Sequence, residues 1–290
     1  MKLYKSFIEE NFYILDKEIQ QPVPFTFNKI QSKYYKILEE EYNNLQGVRE
    51  IILKARQEGV SSFALGLFTV DFLLIPFSVS ICISHRKDAT ELLFKKVKFY
   101  IESYCQNHKM ESKTLLKTDN KNMIENLVNG ALFYVLTAGT KVGGRGGSCS
   151  NILFSEAAYY PDTAKISASE IITATSQQVP MEKGMIFIES TGNTTDDYYN
   201  SEWERANRGE SIYKHRFFGW QEFYDEEWVK EKKKEFPNEL LAMREYPKDP
   251  SEAFLAAGSP YFDNLVLKEM LDTRLQSIQQ GRFAPDGNWT

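Results

Sequence analysis

Short, continuous apolar runs rich in β-branched residues alternate along the chain with longer segments that carry a single apolar face. Runs at Val48 to Lys54, Val79 to Ser84, Phe133 to Thr137, Ile152 to Ser155 and Met185 to Ser190 predict buried strands. Between them the spacing predicts helices. One starts at Ser61 or Ser62, one runs from about Arg86 to Gln106 on Leu92, Leu93, Val97, Tyr100 and Ile101, and one from about Lys165 to Ser176. Strand and helix in repetition imply an α/β fold with a mostly parallel sheet covered by helices on both faces. The most apolar window, Gly66 to Ser84, has the length of a membrane span, but Asp71 lies inside it and Pro76 divides it. It is read as a buried helix ending before Pro76, then a buried strand.

After Asn193 the pattern changes, with dense aromatic and charged residues from Asp196 to Tyr246 and a charged helix around Asp225 to Glu235. This stretch is expected to form a smaller subdomain or lid, the charge run being a solvated helix face. One further helical pattern spans Phe262 to Gln280, and GRFAPDGNWT then reads as loop, so the chain is expected to stop in a linker. No repeat of 20 to 50 residues is apparent.

Charge narrows the possible partners. The 290 residues carry 35 basic against 40 acidic groups, net −5, so a uniformly basic coat for nucleic acid is excluded and any DNA contact must be local. Cys82, Cys105 and Cys149 are far apart and odd in number, which indicates neither a disulfide framework nor a zinc knuckle and makes a reducing compartment the default. The charged N-terminus has no apolar core and cleavage site of a signal peptide.

Five constellations can carry chemistry. Lys54-Ala55-Arg56-Gln57-Glu58-Gly59-Val60-Ser61-Ser62 stands between a strand and an apolar helix, the setting of a phosphate-binding loop. Ala55 replaces the first glycine of the strict pattern and Val60 stands where its lysine should be, so the cation would come from Lys54 or Arg56; a plain turn with an N-cap serine is the alternative. The run Ile152 to Glu156 ends in an acid at the C-terminal edge of a strand, where a carboxylate can polarise the water that attacks a γ-phosphate, although Ser155 stands where a Mg²⁺-associated aspartate is usual. Met185 to Asn193 is a buried strand ending in Ser190, Thr191 and Asn193, which can sense a phosphate and pass the change on, or be an ordinary turn. Gly143 to Gly147 flank Arg145 in a flexible loop that can reach a neighbour's phosphate, touch DNA, or serve as a linker. Gln31, among Phe25, Phe27, Tyr34 and Tyr35, can read an adenine edge or be a helix-face residue beside core aromatics.

In their order and spacing these motifs resemble the N-terminal ATPase domain of the large terminase subunit of tailed bacteriophages, the DNA-packaging motor. The phrases KARQEGVSS, GGRGGSCSNILFSEAAYYPD, FIESTGNTTDDYYNSEWERA and EYPKDPSEAFLAAGSPYFD carry the likeness, from about Pro24 to Asp263. The resemblance implies a P-loop NTPase of the ASCE type with an ATPase core over 1–195, a C-terminal lid subdomain over 196–262 and the start of a linker over 263–290. It implies ATP and Mg²⁺ as cofactors, bound by Gln31, Lys54, Arg56, Gln57, Gly59, Val60, Ser61 and Ser62, with Ser61 on the metal. Glu156 would activate water, Arg145 would enter the adjacent subunit's site, and Ser190, Thr191 and Asn193 would couple hydrolysis to movement. Expected partners are double-stranded DNA, the portal protein, the small terminase subunit and a homo-oligomeric ring, a pentamer, with no membrane, in the host cytoplasm and transiently at the procapsid portal. A nuclease is expected only in a longer protein. The competing readings are a helicase-like ATPase and a nucleotide- or DNA-binding module that does not hydrolyse.

Overall fold

A computed structural model describes residues 4–140, 147–163 and 166–254, together with 270 and 273. The chain divides into a unit spanning Met1–Ala256 and one spanning Ala257–Thr290. In the second, only Met270 and Thr273 are described, both helical, and the expected helix over Phe262 to Gln280 otherwise lies outside the described residues.

The first unit opens with helix α1 (Tyr4–Asn11) and a two-stranded antiparallel hairpin, β1 (Tyr13–Leu15) and β2 (Pro22–Pro24). Helix α2 (Lys29–Glu41) leads to strand β3 (Val48–Lys54), helix α3 (Val60–Leu74), strand β4 (Val79–Ser84) and the long helix α4 (Lys87–Asn107). One turn, α5 (Ser112–Leu115), precedes β5 (Leu116–Asp119), β6 (Met123–Asn126) and β7 (Leu132–Thr137). Then come β8 (Asn151–Ser155), α6 (Ala168–Ser176), β9 (Met185–Ser190), α7 (Tyr198–Asn207), β10 (Lys214–Phe218), α8 (Glu226–Lys233), α9 (Glu239–Glu245) and α10 (Pro250–Phe254).

Eight strands make one sheet in the order β10-β3-β9-β8-β4-β7-β6-β5. The six from β10 to β7 run parallel, and β6 and β5 add an antiparallel edge. Alternate residues of the central strands feed two cores. Ile52, Leu153 and Phe187 pack against α1 to α4 on one face, while Ile51, Leu53, Phe154 and Ile188 pack with residues of α6 and α7 on the other. Both faces are covered, which is why these strands read as unbroken apolar runs.

Helix α3 is buried nearly all round, as expected of a helix wedged between the sheet and other helices. Its Asp71 is 5% exposed; Tyr4 Oη donates to Oδ1 at 2.8 Å and Asn151 Nδ2 to Oδ2 at 3.0 Å. A hydrogen-bonded acid accounts for the one charged residue of the window, and no described helix is long and apolar enough to cross a membrane.

The stretch read as a separate lid contributes β10 to the main sheet, parallel to β3. An ion pair that its sequence does not advertise lies beside this pairing. Arg216 on β10 donates from Nε to Glu50 Oε2 at 2.7 Å and from Nη2 to Oε1 at 3.0 Å; Tyr34 and Tyr42 also donate to this fully buried carboxylate. Helices α8 and α9 lie outside the sheet, where Val229 and Tyr246 pack on Ala55.

Candidate functional site

Five residues, Ala55 to Gly59, separate β3 from α3. Gly59 precedes the helix with φ +81°, and no side chain caps α3, so the N–H groups of its first turn face the loop. An uncapped helix start of this kind is a ready receptor for phosphate. Glycine is favoured at position 59 by its left-handed backbone, and a Cβ there would displace the Gln31 amide, whose Nε2 would stand 2.7 Å away. Gln31 and Asn28 form a reciprocal capping box at the start of α2, and their amides reach across to the loop. Gln31 Nε2 donates to Gly59 O at 2.8 Å and Asn28 Nδ2 to Glu58 O at 3.0 Å. Gln57 is exposed with φ +67°, and Val60 is buried in the core.

The two candidate loop cations have different destinations. Arg56 turns outward: Nη1 donates to Glu245 Oε2 of α9 at 2.8 Å, and Tyr224 Oη donates to its carbonyl at 3.0 Å. Lys54 turns inward and is 5% exposed, with Nζ 3.1 Å from Glu156 Oε1 and 3.1 Å from Glu189 Oε2. Burial alone disfavours its charge, but the two carboxylates outweigh that and hold the ammonium above the usual lysine range.

Glu189 is fully buried on β9, the strand inserted between β3, which leads into the loop, and β8. Register places Glu189 beside Ile52 on one side and Ser155 on the other. Paired positions and those two residues along a strand share a face, so Lys54, Glu189 and Ser155 all point toward α3. Ser61, in the first turn of α3, donates from Oγ to Glu189 Oε1 at 2.8 Å, and Ser155 Oγ donates to the same oxygen at 2.6 Å.

Glu156 follows β8 in the left-handed region, φ +53° and ψ +49°, a conformation costly for a side chain with a Cβ and concentrated at functional sites. Its Oε2 accepts from Ser190 Oγ at 3.3 Å and Thr191 N at 3.4 Å. Asn193 Nδ2 donates to Ala158 O at 3.0 Å, so the ends of β8 and β9 are stitched together. Gly192 adjoins α10 so closely that a Cβ would fall 2.0 Å from Ala253 O. The Pro-Ser-Glu-Ala-Phe segment therefore rests on the strand end that contacts Glu156.

Two groups at the loop were not singled out from the sequence. Lys96 of α4 donates to Ser62 Oγ at 2.9 Å; desolvation and the charges of Lys17 and Lys54 hold its ammonium below the usual lysine range against the pull of Glu189. Glu58 is fully buried, and neither carboxyl oxygen has a hydrogen-bond partner among the described residues. Burial pushes its pKa up to about 9, with Lys54 opposing and Glu222 adding to the rise. A carboxyl whose folded pKa is raised stabilises the fold below its unfolded pKa, near 4.5, and that contribution is lost as pH climbs through about 9. Glu58→Gln is therefore expected to melt like the wild type near pH 4 and above it at pH 8, the gap widening by up to about 1.4 kcal/mol per pH unit. Thermal melts across that range check this; parallel curves would mean that Glu58 is ionised in the fold.

The structure thus brings together Lys54, Ser61, Glu156, Ser190 and Thr191, turns Ser62 to Lys96 of α4, keeps Gln31 against the loop and sends Arg56 to α9. Arg145 lies outside the described residues. Neither Glu189 nor Lys96 had a local signal: the first reads as an ordinary strand residue and the second as part of a charged helix face.

No protein-family model matches the chain, and no curated protein matches it in sequence. Solved structures do. The large terminase ATPase domain of Thermus phage P74-26 is 16% identical with a TM-score of 0.55, over 74% of this chain and 96% of that one. The large terminase of bacteriophage HK97 is 16% identical with a TM-score of 0.63, over 99% of this chain and 65% of that one. The large terminase of a thermophilic bacteriophage, in complex with ATP-γ-S, is 10% identical with a TM-score of 0.52, over 73% of this chain and 50% of that one. The chain spans about half to two thirds of the length of these last two proteins. At such identities the likeness is one of fold. An eight-stranded, mostly parallel α/β sheet with a strand-loop-helix junction at its C-terminal edge gives this chain the fold of phage large-terminase ATPase domains.

Proposed function

We propose that this chain is the ATP-hydrolysing domain of a viral DNA-packaging motor of the large-terminase type. The observation that carries the reading is the convergence of Lys54, Ser61, Glu156 and Glu189 at the uncapped start of α3. Lys54 supplies the cation that Val60 cannot, and the loop from Arg56 to Ser62 wraps the triphosphate with its backbone N–H groups. Gln31, buried beside the loop, reads adenine: its Oε1 accepts from Asn28 N and its Nε2 donates to Gly59 O, which leaves one lone pair and one N–H. The hydroxyl of Ser61 and a buried carboxylate are hard oxygen donors of the kind that suit Mg²⁺, which when bound would offset the charge of the β- and γ-phosphates. Glu156 orients and deprotonates the attacking water. Ser190, Thr191 and Asn193, bonded to the Glu156 loop, relay its state to α10 through Gly192, and α8 and α9 act as the lid over Arg56 and Ala55.

In this reading Arg145 completes the site of an adjacent subunit in a homo-oligomeric ring, a pentamer, that drives double-stranded DNA through a portal protein in the host cytoplasm. A small terminase subunit would be a further partner. The test is Mg²⁺-dependent ATP turnover at several protein concentrations, with and without duplex DNA. Turnover per subunit that rises with concentration and is lost in Arg145→Ala supports a shared-site motor. Tight ATP binding without turnover would instead make the chain a binding module, and separation of DNA strands a helicase-like ATPase.

A further inference from the structure

Ser155 stands at the strand end where a metal-associated acid was expected, yet a carboxylate lies within 2.6 Å of its hydroxyl. That carboxylate belongs to Glu189, 34 residues later and one strand over. It is fully buried, accepts from the hydroxyls of both Ser155 and Ser61 through one oxygen, and faces Lys54 with the other. Burying a carboxylate is costly unless ion pairing and hydrogen bonds offset it. This one has three partners, two of them at positions read as phosphate- or metal-handling, so it is built into the loop rather than tolerated in the core.

We infer that Glu189 is the metal-positioning carboxylate of this site, moved from the end of β8 to the end of β9, with Ser155 orienting it and Ser61 as the hydroxyl through which it acts. The inference rests on the nucleotide-binding reading above. Its physical basis is that adjacent parallel strands bring in-register residues of one face together, so the same point in space can be reached from either β8 or β9. An acid at both positions would set two buried like charges against each other; serine at 155 removes the conflict and donates to the acid that remains. A purely structural partner of Lys54 would require none of the hydroxyl contacts, and its loss would weaken nucleotide binding equally with and without metal.

Calorimetric titration with ATP-γ-S, in Mg²⁺ and in EDTA, separates these roles without measuring turnover. The wild type is expected to bind more tightly with Mg²⁺. Glu189→Gln is expected to lose about 10- to 100-fold of that metal-dependent gain, the usual effect of removing a group that orients a metal ligand, while metal-free affinity is kept. The exchange Ser155→Asp with Glu189→Ser returns a carboxylate to β8, keeps a negative partner for Lys54, and is expected to restore the gain. An undiminished gain in Glu189→Gln overturns the inference, as does an equal loss in both conditions. If Glu189→Gln fails to fold, the exchange variant decides alone: a retained gain supports the inference and a lost one overturns it. Failure of the wild type to bind ATP-γ-S in either condition removes the nucleotide-binding reading and the inference together, whereas binding without the Glu189 effect removes only the inference.

Discussion

Glu156→Gln is expected to lower ATP turnover by about 10²- to 10⁴-fold while leaving nucleotide affinity within a few fold of the wild type, because a general base contributes on that scale and its isosteric amide keeps the shape. The geometry behind this is specific. Glu156 sits beyond the end of β8 in a left-handed conformation, 28% exposed in its side chain, so it is reachable by a water that the fully buried Glu189 is not. Its other contacts, from Ser190 and Thr191, are made at 3.3 and 3.4 Å and survive with an amide oxygen as acceptor. Stability is expected to change little, since Lys54 retains Glu189. Steady-state turnover together with ATP-γ-S titration checks it. A variant that hydrolyses ATP at the wild-type rate would remove Glu156 from the chemistry.

The second large effect is on the fold. Lys54→Met is expected to destabilise the protein by about 3–5 kcal/mol at pH 7, the cost of leaving a buried charge without its partner. The orphan is Glu189, which loses its only ion-pair partner among the described residues while still accepting from Ser61 and Ser155. Adding Glu189→Gln to Lys54→Met should recover much of the loss, because it removes the charge that the first change strands. Denaturant unfolding of the two singles and the double gives the coupling directly; strictly additive effects would mean that the pair is not coupled in the fold. Nucleotide affinity should stay weak in the double, as its loop lacks the cation.

Strands β3, β4, β7, β8 and β9 fall within a residue of the runs read from the sequence, and α3 and α4 start within a residue or two of the expected positions. Such elements are legible because burial on both faces demands unbroken apolar strands, and a long helix repeats its pattern several times. The strand-loop-helix junction between β3 and α3 was legible for the same reason, as were the polar ends of β8 and β9. Strands β1, β2, β5 and β6 have three or four residues each, too few to establish a period, and α1 and α2 are partly polar.

The sequence by itself determined an α/β chain, the strand-loop-helix junction between β3 and α3, the acid after β8 and the small polar residues after β9, because each is a local consequence of strand, turn and helix chemistry. Tertiary structure alone decided which residues share the site. Lys54 rather than Arg56 faces the acids because strand alternation directs one inward and α9 captures the other. Glu189 enters because β9 is inserted between β3 and β8 in a register that aligns it with Ser155. The charged stretch after Asn193 returns β10 to the sheet in parallel register with β3, where Arg216 meets a buried Glu50 more than 160 positions away. No window of sequence holds these contacts: they depend on strand order and register, which are set by the packing of the whole core.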